Sequence, residues 1–137
     1  MLRIVLDTNV LVASISQKSP YHWVWQAFVQ GKYELCVTSD ILDEYAEIIE
    51  RYFSVEDAEN TLNQIMMGKN VVQIIRYYEW NAIEQDPDDN KFFDCAVAAN
   101  AHYLVSEDKH FNILKKIPFP SITRIKTLEF KEVLSEI

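Results

Sequence analysis

Short apolar runs alternate with longer helical stretches along this chain, and that alternation limits the fold more than any other feature. Ile4-Val5-Leu6 is a brief apolar run closed by Asp7, the pattern of a buried strand. Asn9 to about Ser16 reads as a first helix. Ser19-Pro20 predicts the start of the next, with Ser as the cap and Pro at the first helical position. Trp23, Val24, Ala27 and Phe28 lie along it, and Gly31 stops it. Tyr33 to Val37 reads as a second strand. A long helix begins near Ser39 or Asp40, its stripe made of Ile41, Leu42, Tyr45, Ile48, Ile49 and Tyr52. Another spans Val55 to Met67 and ends at Gly68. Val71 to Ile75 is a third strand. Asp86-Pro-Asp-Asp-Asn90 is a turn into a helix at about Lys91–Ala101. Tyr103 to Val105 is a fourth strand, Asp108 to Lys115 a short helix, and Ile122 to Ile125 a last strand. Thr127 caps a terminal helix. Strands separated by helices predict an α/β sandwich around a mostly parallel sheet. In such sheets ligands sit beyond the carboxyl ends of the strands.

Length and composition bound this expectation. With 137 residues, the chain fits a single domain over 1–137. Hydrophobic residues make up 49%, enough for a core, and only 2 glycines occur. No stretch approaches the roughly 20 apolar residues of a membrane span. The opening MLRIVLDTN does not read as a signal peptide. Cys36 and Cys95 belong to no CxxC pair, which argues against zinc or redox chemistry and for two buried thiols. A cytoplasmic protein without a membrane segment is expected. The net charge of −8 disfavours nonspecific coating of nucleic acid, but not recognition of a polyanion through metal ions.

Several acids stand where water does not easily reach. Asp7 directly follows the first strand, and Asp108 comes three residues after Val105. Asp94 lies within Phe92-Phe-Asp-Cys-Ala-Val-Ala-Ala-Asn-Ala101, where nearly every other residue is apolar. A buried carboxylate there must be paired, hydrogen-bonded or metal-bound. Glu44 borders the Ile41/Tyr45/Ile48 stripe and could reach a cleft at the sheet edge, or stay solvated. Asp7 and Asp108 could each cap a helix instead. Taken together, the four acids favour a divalent metal held by Asp7, Asp94 and Asp108. All are oxygen donors, which select Mg²⁺ or Mn²⁺ over zinc. Asn9 and Ser106 could orient ligands or waters, or serve only as cap and turn residues.

A carboxylate cluster of this kind suits phosphodiester hydrolysis, where metal ions activate water and stabilise charge on the leaving oxygen. No GxSxG, GxxxxGK[ST] or GxGxxG motif competes. Ile4-Val-Leu-Asp-Thr-Asn9 resembles the first motif of PIN domains, and Ser39-Asp-Ile-Leu-Asp-Glu44 the second. Asp94-Cys-Ala-Val-Ala-Ala-Asn-Ala101 resembles the third, and Val105-Ser-Glu-Asp108 the fourth. The four motifs cover residues 1 to about 115. The resemblance is to VapC-like toxin components of toxin–antitoxin pairs. It implies a three-layer PIN-like sandwich and a Mg²⁺- or Mn²⁺-dependent endoribonuclease, often dimeric and inhibited by a cognate antitoxin. It assigns Asp7, Asp94 and Asp108 to metal binding, with Glu44 completing the catalytic set and Asn9 and Ser106 beside it. Two departures stand out. The Asp86–Asn90 turn adds Asp88 and Asp89, which either extend the acidic site or serve as turn and cap residues. Glu107 precedes Asp108 where many relatives have Gly.

Charge is unevenly spread. Residues 40–60 carry eight acids and one base, and residues 79–94 six acids and one base. Residues 109–126 carry Lys109, Lys115, Lys116, Arg124 and Lys126, with His110 and no acid. Lys109, Lys115 and Lys116 are thus the candidates for guiding an RNA backbone, or else an ordinary solvated face. Trp23 and Trp25, two apart on a helix, cannot both face one core; one could contribute to a dimer or antitoxin surface. Two other readings remain at this point. One is a haloacid-dehalogenase-type phosphatase, which also places an Asp after its first strand. The other is a non-catalytic interaction module.

Overall fold

A computed structural model describes residues 1–136. Five strands run β1 (Arg3–Leu6), β2 (Glu34–Val37), β3 (Val71–Gln73), β4 (Tyr103–Val105) and β5 (Arg124–Ile125). Six α-helices accompany them among the described residues: α1 (Thr8–Ile15), α2 (His22–Val29), α3 (Ser39–Tyr52), α4 (Val55–Met67), α5 (Asn90–Ala98) and α6 (Thr127–Ser135). Two 3-10 segments, Pro87–Asp89 and Lys109–Lys116, flank α5 and follow β4. The sheet is parallel throughout, in the order β3-β2-β1-β4-β5. It is the α/β sandwich expected, with helices flanking the sheet.

Burial explains the strand sequences. Ile4, Val5, Leu6, Leu35, Cys36, Val37, Leu104 and Val105 are all buried without remainder, as a central parallel sheet covered on both faces requires. Cys36 and Cys95 are both free and buried. Strand order reverses between β1 and β4, so their carboxyl ends diverge into different connections. That crevice is where such sheets place ligands. The Asp7 amide donates to the Val105 carbonyl (3.0 Å), which fixes the two strand ends side by side.

Boundaries differ from expectation for identifiable reasons. Helix α2 starts at His22, not at Ser19-Pro20. Ser19 Oγ accepts from the Tyr21 amide (3.0 Å), so the Ser-Pro pair closes a turn ahead of the helix. Thr38 caps α3, accepting from the Ile41 amide. Helix α5 ends at Ala98, before Ala101, because Asn100 adopts φ 54°. The Ala101 amide reaches back to the Ala96 carbonyl there (2.9 Å), closing the helix end. The third strand stops at Gln73, and the chain continues without regular structure to Gln85. Residues 109–116 wind as 3-10 rather than α-helix. Thr127 is the first residue of α6, not its cap; Lys126 holds that position, and Glu129 accepts from its amide (3.1 Å).

Both tryptophans of α2 pack within the chain. Trp25 is buried against Phe28, and Trp23 lies on Phe130 of α6 with Lys131 over its ring.

Candidate functional site

The site forms where β1 and β4 end. Asp7 leaves β1 as the cap residue of α1, with Oδ1 accepting from the Thr8 amide (2.8 Å). Its Oδ2 accepts from Ser106 Oγ (2.6 Å), and the same Ser106 oxygen accepts from the Asp108 amide (2.9 Å). Ser106 is buried and couples the β1 acid to the loop after β4. Asp108 caps the following 3-10 segment by accepting from the His110 amide (2.9 Å), and Arg124 donates to its carbonyl (3.1 Å). Asp7 and Asp108 therefore both serve as caps, and each still stands at the end of its strand.

Glu44 reaches the same corner from α3. Thr8 Oγ1 donates to its Oε2, and Lys91 Nζ pairs with its Oε1 (2.7 Å). Tyr45, buried beside it, donates its hydroxyl to the Leu6 carbonyl (2.5 Å) and ties α3 to the end of β1. Asp7 is pushed above the ordinary carboxylate range, chiefly by burial. Its Ser106 and Thr8 hydrogen bonds pull it down, while Asp108 and Glu44 push it up further.

Asp94 shares an acidic cleft with Glu44 and Lys91 but does not join the cluster of Asp86, Asp89, Asp108 and His110. Its Oδ1 accepts from the Trp80 amide (3.1 Å) in the irregular segment 74–82. Burial raises its carboxyl, the Trp80 hydrogen bond lowers it, and Glu79 raises it further. The acid that converges from this part of the chain is Asp89, at the N-terminal end of α5. It is 7% exposed, and Oδ2 has no hydrogen-bond partner among the described residues. Burial first, then the charges of Asp108, Asp86 and Asp7, push Asp89 up to about 7, with His110 acting in the opposite direction. One donor atom each from Asp86, Asp89, Asp108 and His110 lies within 4.8 Å of the others.

Of the expected residues, Asp7, Glu44 and Asp108 stand near one another. Asp89, not Asp94, clusters with Asp86, Asp108 and His110, and Thr8 and Lys91 contact Glu44. Asn9 is exposed on the first turn of α1, in contrast to buried Ser106. Asp88 is exposed, whereas Asp89 faces inward. Glu107 points to α6, accepting from the Thr127 amide (2.8 Å). A signal for Asp89 was present. Helix α5 packs on β1, β2 and β4 and runs into β4, so its N-terminus lies at the carboxyl edge of the sheet. A helix start there is equivalent to a strand end.

Two depressions border the centre. An acidic cleft of about 500 Å³ is lined by Asp40, Asp43, Glu44, Glu79, Asp94 and Lys91, among others. A groove of about 550 Å³ is lined by Ala82, Ile83, Gln85, His110, Lys109 and Lys116. Lys115 lines a different hollow, beside Arg124. Lys109 and Lys116 therefore line one groove and Lys115 another.

Carboxylates at this density fit a hard divalent cation. The buried, unpartnered oxygen of Asp89 is the specific feature a cation would satisfy. Among the described residues, no helix is long and apolar enough to cross a membrane.

Comparison with known proteins agrees with this fold. No curated protein matches the sequence. Among solved structures, VapBC2 from Rickettsia felis bound to a promoter DNA fragment is similar in fold, with TM-score 0.62 and 18% identity. The match covers 91% of this chain and 98% of that one. DNA-bound VapBC from Salmonella typhimurium gives TM-score 0.57 and 16% identity, over 93% of this chain and 99% of that one. A family model described as PIN domain matches residues 3–110, from β1 through the loop that carries Asp108 and His110. With its parallel sheet and the acids at the β1/β4 crevice inside that match, the chain belongs to the PIN domain family.

Proposed function

We propose that this protein is a Mg²⁺- or Mn²⁺-dependent endoribonuclease, the toxin of a toxin–antitoxin pair, acting in the cytoplasm. The carrying observation is the convergence of Asp7, Asp89 and Asp108 at the β1/β4 crevice, with one buried Asp89 oxygen unpartnered. These three residues would hold the metal. A bound divalent ion supplies a more acidic water and stabilises charge on the phosphate and leaving oxygen.

The surrounding residues have definite tasks. Ser106 holds Asp7 and the Asp108 backbone at a fixed separation. Thr8 and Lys91 fix both oxygens of Glu44, which completes the site and positions water. Lys109 and Lys116 flank the groove beside His110 and supply positive charge for an incoming RNA backbone. Lys115 and Asp94 have no part in this version of the site. The fold shared with VapBC proteins supports a protein antitoxin as partner, and the family resemblance carries a homodimer with it.

RNA cleavage by purified, antitoxin-free protein with Mg²⁺ or Mn²⁺ tests the reading. Asp7→Asn and Asp108→Asn are expected to lower the rate by about 100-fold or more, the equivalent of several kcal/mol of lost charge stabilisation. Asp94→Asn is expected to stay within a few-fold of wild type. Intact RNA after incubation with metal-loaded protein would sink the nuclease reading in favour of a non-catalytic interaction module.

A further inference from the structure

We propose that Asp86, Asp89, Asp108 and His110 form a mixed oxygen–nitrogen site in which the His110 imidazole binds the metal directly, favouring a Mn²⁺-class transition ion over Mg²⁺. The proposal rests on the metal-dependent reading of Asp89 and Asp108, which the two sets share, and adds Asp86 and an imidazole ligand, with a selectivity that carboxylates alone do not have.

The geometry carries it. Asp86 and Asp89 belong to the 3-10 turn before α5; Asp108 and His110 open the 3-10 segment after β4. His110 Nδ1 stands 3.3 Å from Asp108 Oδ1 and 3.6 Å from both Asp86 Oδ2 and Asp89 Oδ2. It is buried, yet it makes no hydrogen bond, and neither does Asp89 Oδ2. With neutral His110, these atoms at ion-pair distance lack a hydrogen bond, and a cation held between them would satisfy both. Ligands about 2.1–2.2 Å from one octahedral ion stand about 3 Å apart when adjacent and about 4.3 Å when opposite. Separations of 3.3–3.6 Å, inside a cluster no wider than 4.8 Å, need only small side-chain adjustments to meet that pattern. Asp86 and His110 are partly exposed, so water can complete the coordination.

The donor set decides the ion. Oxygen-only sites suit Mg²⁺, whereas an imidazole nitrogen favours first-row transition ions over Mg²⁺; Mn²⁺, the weakest binder of that row, is the one that also suits carboxylates. The other two imidazoles are committed elsewhere: His102 Nδ1 accepts from the Arg3 amide (3.0 Å), and His22 Nδ1 meets the Ser14 carbonyl (2.8 Å). A nitrogen ligand at this centre is therefore attributable to His110.

Titration of the full chain with Mn²⁺ and separately with Mg²⁺, followed by melting temperature and by pulsed EPR of bound Mn²⁺, tests the assignment. Wild type should show nitrogen coupling on Mn²⁺ and saturate at lower Mn²⁺ than Mg²⁺ concentration. His110→Ala should lose the coupling and raise the Mn²⁺ half-saturation by about tenfold or more, leaving the Mg²⁺ response within about twofold. Asp86→Asn should weaken Mn²⁺ binding but keep the nitrogen coupling. Absence of nitrogen coupling in wild type overturns the proposal without recourse to any variant, as does an unchanged Mn²⁺ response in a folded His110→Ala protein. RNA cleavage is scored apart. Mn²⁺ bound through His110 with no cleavage leaves the site standing and removes the nuclease. Cleavage without nitrogen coupling does the reverse.

Discussion

Asp89 and Asp94 are five residues apart and both buried, yet only Asp89 clusters with Asp86, Asp108 and His110. The difference lies in their neighbours. Asp94 accepts one backbone hydrogen bond from Trp80, which an asparagine can also accept. Asp94→Asn is therefore expected to leave both the fold and the metal response intact. Asp89→Asn removes a buried charge that faces three other carboxylates. It should raise the melting temperature of metal-free protein at pH 8 while abolishing the rise caused by Mn²⁺; paired thermal melts with and without Mn²⁺ read both effects. Ser106→Ala leaves one Asp7 oxygen without its donor and the Asp108 amide without its acceptor. A loss of about 1–3 kcal/mol is expected in urea denaturation.

At the level of elements, the site depends on how helices are pinned to strand ends. Tyr45 anchors α3 to the Leu6 carbonyl, and so sets where Glu44 stands relative to Asp7. Tyr45→Phe keeps the ring packing and loses the hydroxyl. It should cost about 1 kcal/mol of stability and lower cleavage more than that loss explains, since Glu44 then floats against Asp7. Comparing denaturation midpoints with cleavage rates separates the two. The Asp86–Asp89 turn acts similarly: its 3-10 geometry turns Asp89 inward and leaves Asp88 in solvent.

Across the whole molecule, uncompensated acids at one crevice make stability depend on pH. Asp89 titrates near about 7 when folded, against about 3.9 for an unfolded aspartate. Between these values the folded chain binds more protons, so its stability falls as pH rises. The contribution is complete below about pH 4 and lost on passing about pH 7. Asp7 and Asp94 are shifted in the same direction. The melting temperature in chelator should therefore decline from pH 5 to pH 8, and Mn²⁺ at pH 8 should recover it. A flat profile would show that these carboxylates are already compensated. The net charge of −8 then divides into a metal-facing crevice, an acidic cleft beside it, and the Lys109/Lys116 groove on another border.

The sequence by itself determined the α/β order, the buried strands, and Asp7, Glu44 and Asp108. Each of these follows from local pattern: an apolar run, a helical stripe, an acid just past a strand. It placed Asp94 in the metal set, left Asp89 between site extension and turn or cap residue, and assigned no site role to Asp86, His110, Thr8 or Lys91. A buried carboxylate in an apolar helix must have a partner, but periodicity cannot say whether that partner is a metal or the Trp80 amide. Only packing decides it, because the irregular segment 74–82 lies against one face of α5 while the helix N-terminus meets the ends of β1 and β4. The likeness of short motifs pointed to the family, and the tertiary contacts decided that Asp89 rather than Asp94 stands with Asp86, Asp108 and His110.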